Sequence, residues 1–393
     1  MFMIGVGSAL VAQILPYHFP KPAAAIMLAA ALCACGHDTR VHVAIVPPPP
    51  PLPIAPPHYQ VVVPVPAPAP KPRAPEALTA NISALGRNFD GRVGIAVRSI
   101  DQGWMVESNG DVRLPQQSVS KLWVAMTVLD ARDSGRLTLD DPIVLTRDDF
   151  TIFHQPVAAL IKGDGYHTTV GELLRRALTM SDNTCNDRLL RYVGGPAAVR
   201  AFILRKGLGD IRFGPGEKLL QSRTAGLEWK PEYAFGDAFT RARARLPQTA
   251  RIEAFERYVA DPPDGAAPIA IAGALAKLKR YELLSRSSTD LLIGTMEMSK
   301  TGKQRMHGAV PGDWSFGHKT GTGQDLAGRT AGYNDVGLLM APDGRSYAVA
   351  VMIGDTPKAI PQRQALMQAV VMAVIASHEG RAQSSLSGHG GGR

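Results

Sequence analysis

The sequence predicts an α/β domain with an antiparallel β-sheet flanked by helices plus an all-helical sub-domain, and a cleft between the two. Two observations predict it. Strand-like runs stand at both ends of the domain, Val93-Gly-Ile-Ala-Val-Arg-Ser-Ile100 with Trp104-Met-Val-Glu107 early, and Asn334-Asp-Val-Gly-Leu-Leu-Met340 with Tyr347-Ala-Val-Ala-Val-Met-Ile353 late, while the long stretch between them reads mainly as helix. Strands from both ends then share one sheet, and the helical insertion folds beside it.

Each element has a local reason. Glu76 to Phe89 is helix-like and precedes the first strand pair. The late strands are joined through Pro342-Asp343-Gly344, where Asp-Gly supplies the positive φ of a tight hairpin. An apolar helix from Gln362 to Ser377 closes the domain. Thr169-x-x-Glu172 is a capping box that starts a helix in the middle of the chain. No internal repeat is visible.

Composition narrows the class. With 45% apolar and 20% charged residues, the 393-residue chain is an ordinary globular protein. The formal charge of +9 is spread out, with no basic run longer than Arg241-Ala-Arg-Ala-Arg245 and no aromatic-interleaved basic stripe, so nucleic acid is not an expected partner. Of three cysteines, Cys33 and Cys35 lie near the N-terminus; Cys185 stands alone and is expected as a small buried hydrophobe. No metal-ligand spacing occurs, and no metal or cofactor is expected.

The N-terminal region reads as a targeting segment. Lys21 precedes the apolar run Ala23 to Ala34, the length of a signal-peptide core and too short to span a membrane. Leu32-Cys33-Ala34-Cys35 resembles the lipobox of bacterial lipoproteins, which makes Cys35 the lipidated residue; a plain signal peptidase site is the alternative, and translation from Met27 is open. Residues 1–35 are thus expected to be a signal peptide and 36–75 a linker whose prolines, dense from Pro47 to Pro75, favour extended polyproline II. Residues 76–378 are the expected folded domain, and 379–393 a disordered Gly/Ser-rich tail. The expected location is the periplasm, with a lipid anchor to membrane.

Three short motifs carry chemistry. Ser118-Val-Ser-Lys121 opens an apolar-periodic segment, so Ser118 is expected at the N-terminus of a buried helix with Lys121 one turn later on the same side. A desolvated lysine gives up its proton more readily and then accepts the serine proton, while the helix start stabilises developing negative charge. Ser181-Asp182-Asn183 offers a hydroxyl to protonate a leaving nitrogen and an amide to hold a carbonyl. Lys319-Thr320-Gly321-Thr322-Gly323 precedes the late hairpin and reads as an edge strand lining the cleft, suited to a carboxylate, with the Thr322 and Ser118 N–H groups as an oxyanion hole. Each motif alone is also compatible with a helix start, a polar helix end or a solvated turn.

Together, in this order, the motifs are those of class A β-lactamases and penicillin-binding proteins. From Glu76 to Ser377 the chain resembles a class A serine β-lactamase, and Gly317–Thr322 with Gly328–Leu338 resembles a divergent branch that includes extended-spectrum enzymes. The resemblance implies a β-lactamase/transpeptidase-like fold with its active site in the cleft, a small-molecule β-lactam substrate and a monomer. It makes Ser118 the nucleophile, Lys121 its base partner, Ser181 the proton shuttle, Asn183 a substrate amide ligand, and Lys319, Thr320, Gly321 and Thr322 the carboxylate-binding strand. It also places Glu217, at the family's spacing after Asn183, as base for the deacylating water, with Glu228 and Glu232 as the other acids nearby.

Two departures stand out. Gln221 replaces the family's asparagine, and about Trp229 to Ala260 is extra chain containing helix-like Phe239–Arg245 and Ile252–Val259, which either covers the cleft or decorates the surface. The competing readings are a penicillin-binding D,D-peptidase, for which Glu217 has no reason, and a non-hydrolytic penicillin-binding lipoprotein.

Overall fold

The computed structural model describes Pro47 and residues 72–388 of the chain. Cys35, its lipobox and the linker before residue 72, Pro47 excepted, lie outside the described residues, as do residues 389–393. Five strands, β1 Arg92–Ser99, β2 Met105–Ser108, β3 Ser315–Thr322, β4 Tyr333–Met340 and β5 Ser346–Asp355, form one antiparallel sheet in the order β2-β1-β5-β4-β3. The central strand β5 joins the two ends of the chain, pairing Val349 with both Val97 and Gly337. The turn between β4 and β5 forms as expected, with Gly344 at φ +88°.

The helices are α1 Glu76–Asn88, α2 Lys121–Asp133, α3 Val170–Thr179, α4 Asn183–Tyr192, α5 Gly195–Arg205, α6 Glu217–Thr224, α7 Ala238–Arg245, α8 Gln248–Ala260, α9 Pro268–Lys279, α10 Arg286–Glu297 and α11 Ile360–Gly388. Alternation along β5 assigns them to layers. Tyr347, Val349, Val351 and Ile353 share a core with Leu78 and Ile82 of α1 and with Met367, Val370 and Val374 of α11. Ala348, Ala350 and Met352 face the other core, where the two small alanines leave room for α9 and for the helical sub-domain built around α2. Residues Leu122 to Leu129 of α2 are buried without exception, the property of a helix enclosed by its neighbours.

Three elements differ from the sequence expectation. Ser118 lies in a single 3₁₀ turn, Gln117–Ser120, and α2 proper starts at Lys121. The capping box forms by half: Thr169 Oγ1 accepts from the Glu172 N–H at 3.2 Å, but the Glu172 carboxylate turns to Arg175 and Arg176, both at 2.7 Å, because an ion pair outweighs a neutral amide contact. Finally, α11 runs to Gly388, so residues 379–388 continue a helix where a disordered tail was expected; the polar stretch after Ser377 has no proline.

The extra segment packs against the domain. Tyr233 and Phe239 are buried with Ile152 and Ala225, and the Phe239 ring meets Phe153 edge-on at 5.2 Å. Phe255, Tyr258 and Val259 are buried with Leu220 and Ala331. It therefore stitches the loop around Ile152 to the chain just before β4, across the outside of α6.

Candidate active site

The Lys121 ammonium, carried by the first residue of α2, is 1% exposed. Its Nζ donates to the Ser181 carbonyl at 2.8 Å and to the Asn183 Oδ1, and lies 3.4 Å from both Ser181 Oγ and Glu217 Oε1. A buried ammonium is tolerable only with such partners.

Ser181 links α3 to α4 in a left-handed conformation, φ +59°, unusual for a residue with a β-carbon. Its hydroxyl lies between two lysine nitrogens, accepting from Lys319 Nζ at 2.9 Å and from Lys121. Asp182 is held away from the cleft as the cap of α4, accepting from the Cys185 N–H at 3.0 Å and the Val157 N–H at 2.6 Å. Asn183 donates one amide hydrogen to the Ile152 carbonyl at 2.8 Å and keeps a second. Cys185 is fully buried beneath these residues, and burial raises its thiol far out of the reactive range.

Glu217 opens α6 and is 5% exposed. Its backbone N–H donates to Asp187 Oδ1 at 3.0 Å, and Gln221, one turn on, donates to Glu217 Oε2 at 3.3 Å and to Gln117 Oε1 at 2.9 Å. The longer side chain of Gln221 thus reaches both the carboxylate and the residue before Ser118. Gln117 itself sits at φ +54°. Its N–H donates to Asp264 Oδ2 at 2.8 Å, its amide donates to the Tyr258 hydroxyl at 2.5 Å, and that hydroxyl donates to Asp264 Oδ1 at 3.0 Å. Burial pushes Asp264 up to about 6. Asp187 is likewise pushed up to about 6, by burial and by the charge of Glu217. Glu228 and Glu232 are exposed and do not line the cleft.

β3 forms the sheet edge facing Ser118. Lys319 is fully buried, and burial with Lys121 and Arg305 nearby holds its ammonium well below the ordinary lysine range. Its Nζ donates to Ser181 Oγ from behind, and its side chain is not among those lining the cleft. Gly321 is required by packing: a β-carbon there would lie 2.3 Å from the Gln116 carbonyl. The side chains that do line the cleft here are Thr320, bonded to Thr301 at 2.8 Å, and Thr322, which accepts from Arg305 Nη2 at 2.5 Å. Ser118, Ser181, Asn183, Glu217, Thr320 and Thr322 thus share one cleft of about 490 Å³, open to solvent between the sheet edge and the helical sub-domain. Among the described residues no His, Cys, Asp and Glu cluster suits a metal.

A model of the beta-lactamase enzyme family matches residues 77–377. The chain belongs to this family. Extended-spectrum beta-lactamase PER-1 of Pseudomonas aeruginosa is 29% identical over 279 residues, spanning 71% of this chain and 80% of that protein. A beta-lactamase of Bacteroides uniformis is 27% identical over 282 residues, spanning 71% and 83%. Among solved structures, a beta-lactamase from Chitinophaga pinensis is similar with a TM-score of 0.62 and 26% identity, over 76% of this chain and 97% of that one.

Beyond the three motifs, this beta-lactamase chain uses residues the sequence reading did not single out. Arg305 reaches the cleft from the loop after α10; Gln117, Tyr258 and Asp264 brace the turn that carries Ser118. None belongs to a motif.

Asp187 gives a pH prediction. Its folded pKa of about 6 lies above the unfolded value of about 3.9. Its contribution to stability is thus fully present below pH ~4 and lost as pH rises through about 6. Asp187→Asn cannot ionise and keeps an acceptor for the Glu217 N–H. In urea unfolding between pH 4 and 7 the parent should lose roughly 2–3 kcal/mol relative to the variant; parallel stability profiles for the two proteins would refute the buried-acid assignment.

Proposed function

We propose that Ser118 is the nucleophile of a class A serine β-lactamase, which opens the β-lactam ring through an ester on Ser118 and hydrolyses that ester with water activated by Glu217. One observation carries the reading: Ser118, Ser181 and Glu217 line the same cleft, and Lys121 is buried behind it within 3.4 Å of both Ser181 Oγ and Glu217 Oε1.

In acylation the Ser118 oxygen adds to the lactam carbonyl carbon, and its proton passes through a water to Glu217, or to Lys121 once the ammonium has given a proton to Glu217 beside it. The Ser118 and Thr322 N–H groups receive the charge that develops on the carbonyl oxygen. The carbon–nitrogen bond then breaks, and the ring nitrogen takes a proton from the Ser181 hydroxyl, which Lys319 and Lys121 flank and can resupply through hydrogen bonds. The second Asn183 amide hydrogen is available to an acyl carbonyl. Thr320, Thr322 and Arg305 receive the substrate carboxylate, and Lys319 adds positive potential from behind the strand. In deacylation a water gives its proton to Glu217 and adds to the ester carbonyl; the Ser118 oxygen leaves and regains a proton. Gln221 takes the water-holding place of an asparagine and braces Glu217 directly. A buried carboxylate beside the ester favours turnover over a D,D-peptidase or a stalled penicillin-binding protein.

The lipobox supports a further reading, that Cys35 is lipidated and the proline-rich linker holds the domain off a periplasmic membrane face. Cys35→Ala should then move the protein from the membrane to the soluble fraction; unchanged fractionation counts against the anchor.

Ser118→Ala should lose turnover and labelling by a fluorescent penicillin together, whereas residual labelling would remove Ser118 from its role. Glu217→Gln should lower turnover about 10²- to 10⁴-fold and accumulate a Ser118 adduct that lasts minutes in intact-mass spectra. Turnover near the parent rate would show that another group activates the water.

A further inference from the structure

The extra segment brings two arginines to the cleft that no motif accounts for. Arg243 of α7 and Arg251 of α8 line a side pocket of about 310 Å³ with Thr240, Asp325 and Leu326. Arg243 and Asp325 also line the main cleft, so the two cavities share a wall just beyond the end of β3. Arg243 is fixed there by one hydrogen bond, Nη2 to the Asp325 carbonyl at 3.0 Å.

The two guanidiniums are unbalanced. Arg241 on the same helix pairs with Asp237, and Arg329 pairs with Glu256 and Asp355. Arg243 and Arg251 pair with no carboxylate among the described residues, and the Nε of each is buried without an acceptor there. The one acid of the pocket, Asp325, is exposed and accepts from the Thr330 hydroxyl. Burial and the neighbouring Arg251 both disfavour the charge on Arg243, and the charge of Asp325 offsets them only in part. Unsatisfied buried donors and adjacent like charges each cost stability, and an anion with several acceptor oxygens relieves both costs.

We propose that this side pocket is a second anion subsite, which takes a carboxylate or sulfonate carried on the side chain of a β-lactam substrate. It is separate from the ring carboxylate site at Thr320, Thr322 and Arg305, and it rests on the β-lactamase reading of the cleft. A side chain bearing the anion extends past β3 and meets Arg243 and Arg251 edge-on.

The test compares benzylpenicillin with its α-carboxylated analogue on the full chain. In the ratio of kcat/KM values, analogue over benzylpenicillin, Arg243→Ala should produce a drop of about tenfold, the worth of one charged contact of about 1.4 kcal/mol. Arg251→Ala, which alters the pocket from its other wall, should lower the ratio in the same direction, and Arg243→Lys should restore part of it. A ratio that neither alanine variant changes overturns the subsite, even if both variants hydrolyse each penicillin more slowly. Failure of the parent to hydrolyse benzylpenicillin at all would instead overturn the β-lactamase reading, and the subsite with it.

Discussion

A buried ammonium must be surrounded, and the architecture around the cleft is arranged to surround Lys121. Desolvating a charge costs several kcal/mol unless oxygens replace the lost water. Here the replacements come from the α3–α4 junction, through the Ser181 carbonyl and the Asn183 amide oxygen, and from the start of α6, through Glu217. Those segments cannot move independently while Lys121 stays charged. The left-handed backbone at Ser181, a strain of about 1–3 kcal/mol, is offset by hydrogen bonds from two lysine nitrogens at one residue, that from the Lys121 ammonium being the stronger kind. The same requirement explains why α2 is enclosed on every side: a helix whose first residue must be dry needs apolar walls.

A second network fixes the nucleophile's turn from the opposite direction. Gln117 is held at positive φ by its N–H on Asp264 and by side-chain bonds to Tyr258 and Gln221. Through Gln221 this network reaches Glu217, so the turn before Ser118 and the carboxylate across the cleft share one chain of hydrogen bonds. Tyr258 comes from α8. The extra segment is therefore joined to the centre of the cleft as well as to its rim at Arg243, and the choice between covering and decoration resolves as bracing from behind.

Much of this was legible in the sequence because it is local. The strand-like runs on either side of Asp343-Gly344 placed the late hairpin, and the apolar run after Lys121 placed α2. Motif spacing encodes the local position of Ser118, Lys121, Ser181 and Asn183, and the fold brings Ser118, Ser181 and Asn183 into one cleft with Lys121 behind Ser181. Glu217 was reached only by family spacing, since a lone glutamate in a polar loop has no local mark. What the sequence hid is long-range. Gln117 meets Asp264 and Tyr258 across more than a hundred residues, and Arg305 stands in a loop with no motif. Lys319 and Gly321 stand on the expected strand, and the contacts they make there, the lysine to Ser181 Oγ and the glycine against the Gln116 carbonyl, are ones no motif encodes. The length of α11 escaped because Ser and Gln carry little apolar pattern yet do not break a helix.

The roles of Ser118 and Glu217 meet in one observable, the lifetime of an ester on the unmodified protein. The parent, mixed with a chromogenic cephalosporin, quenched at intervals and weighed intact, should show an acyl adduct on the peptide containing Ser118 during turnover. That adduct should vanish when the colour change is complete. An adduct that outlives the substrate, or one carried by any other residue, would contradict hydrolysis through Ser118 and Glu217.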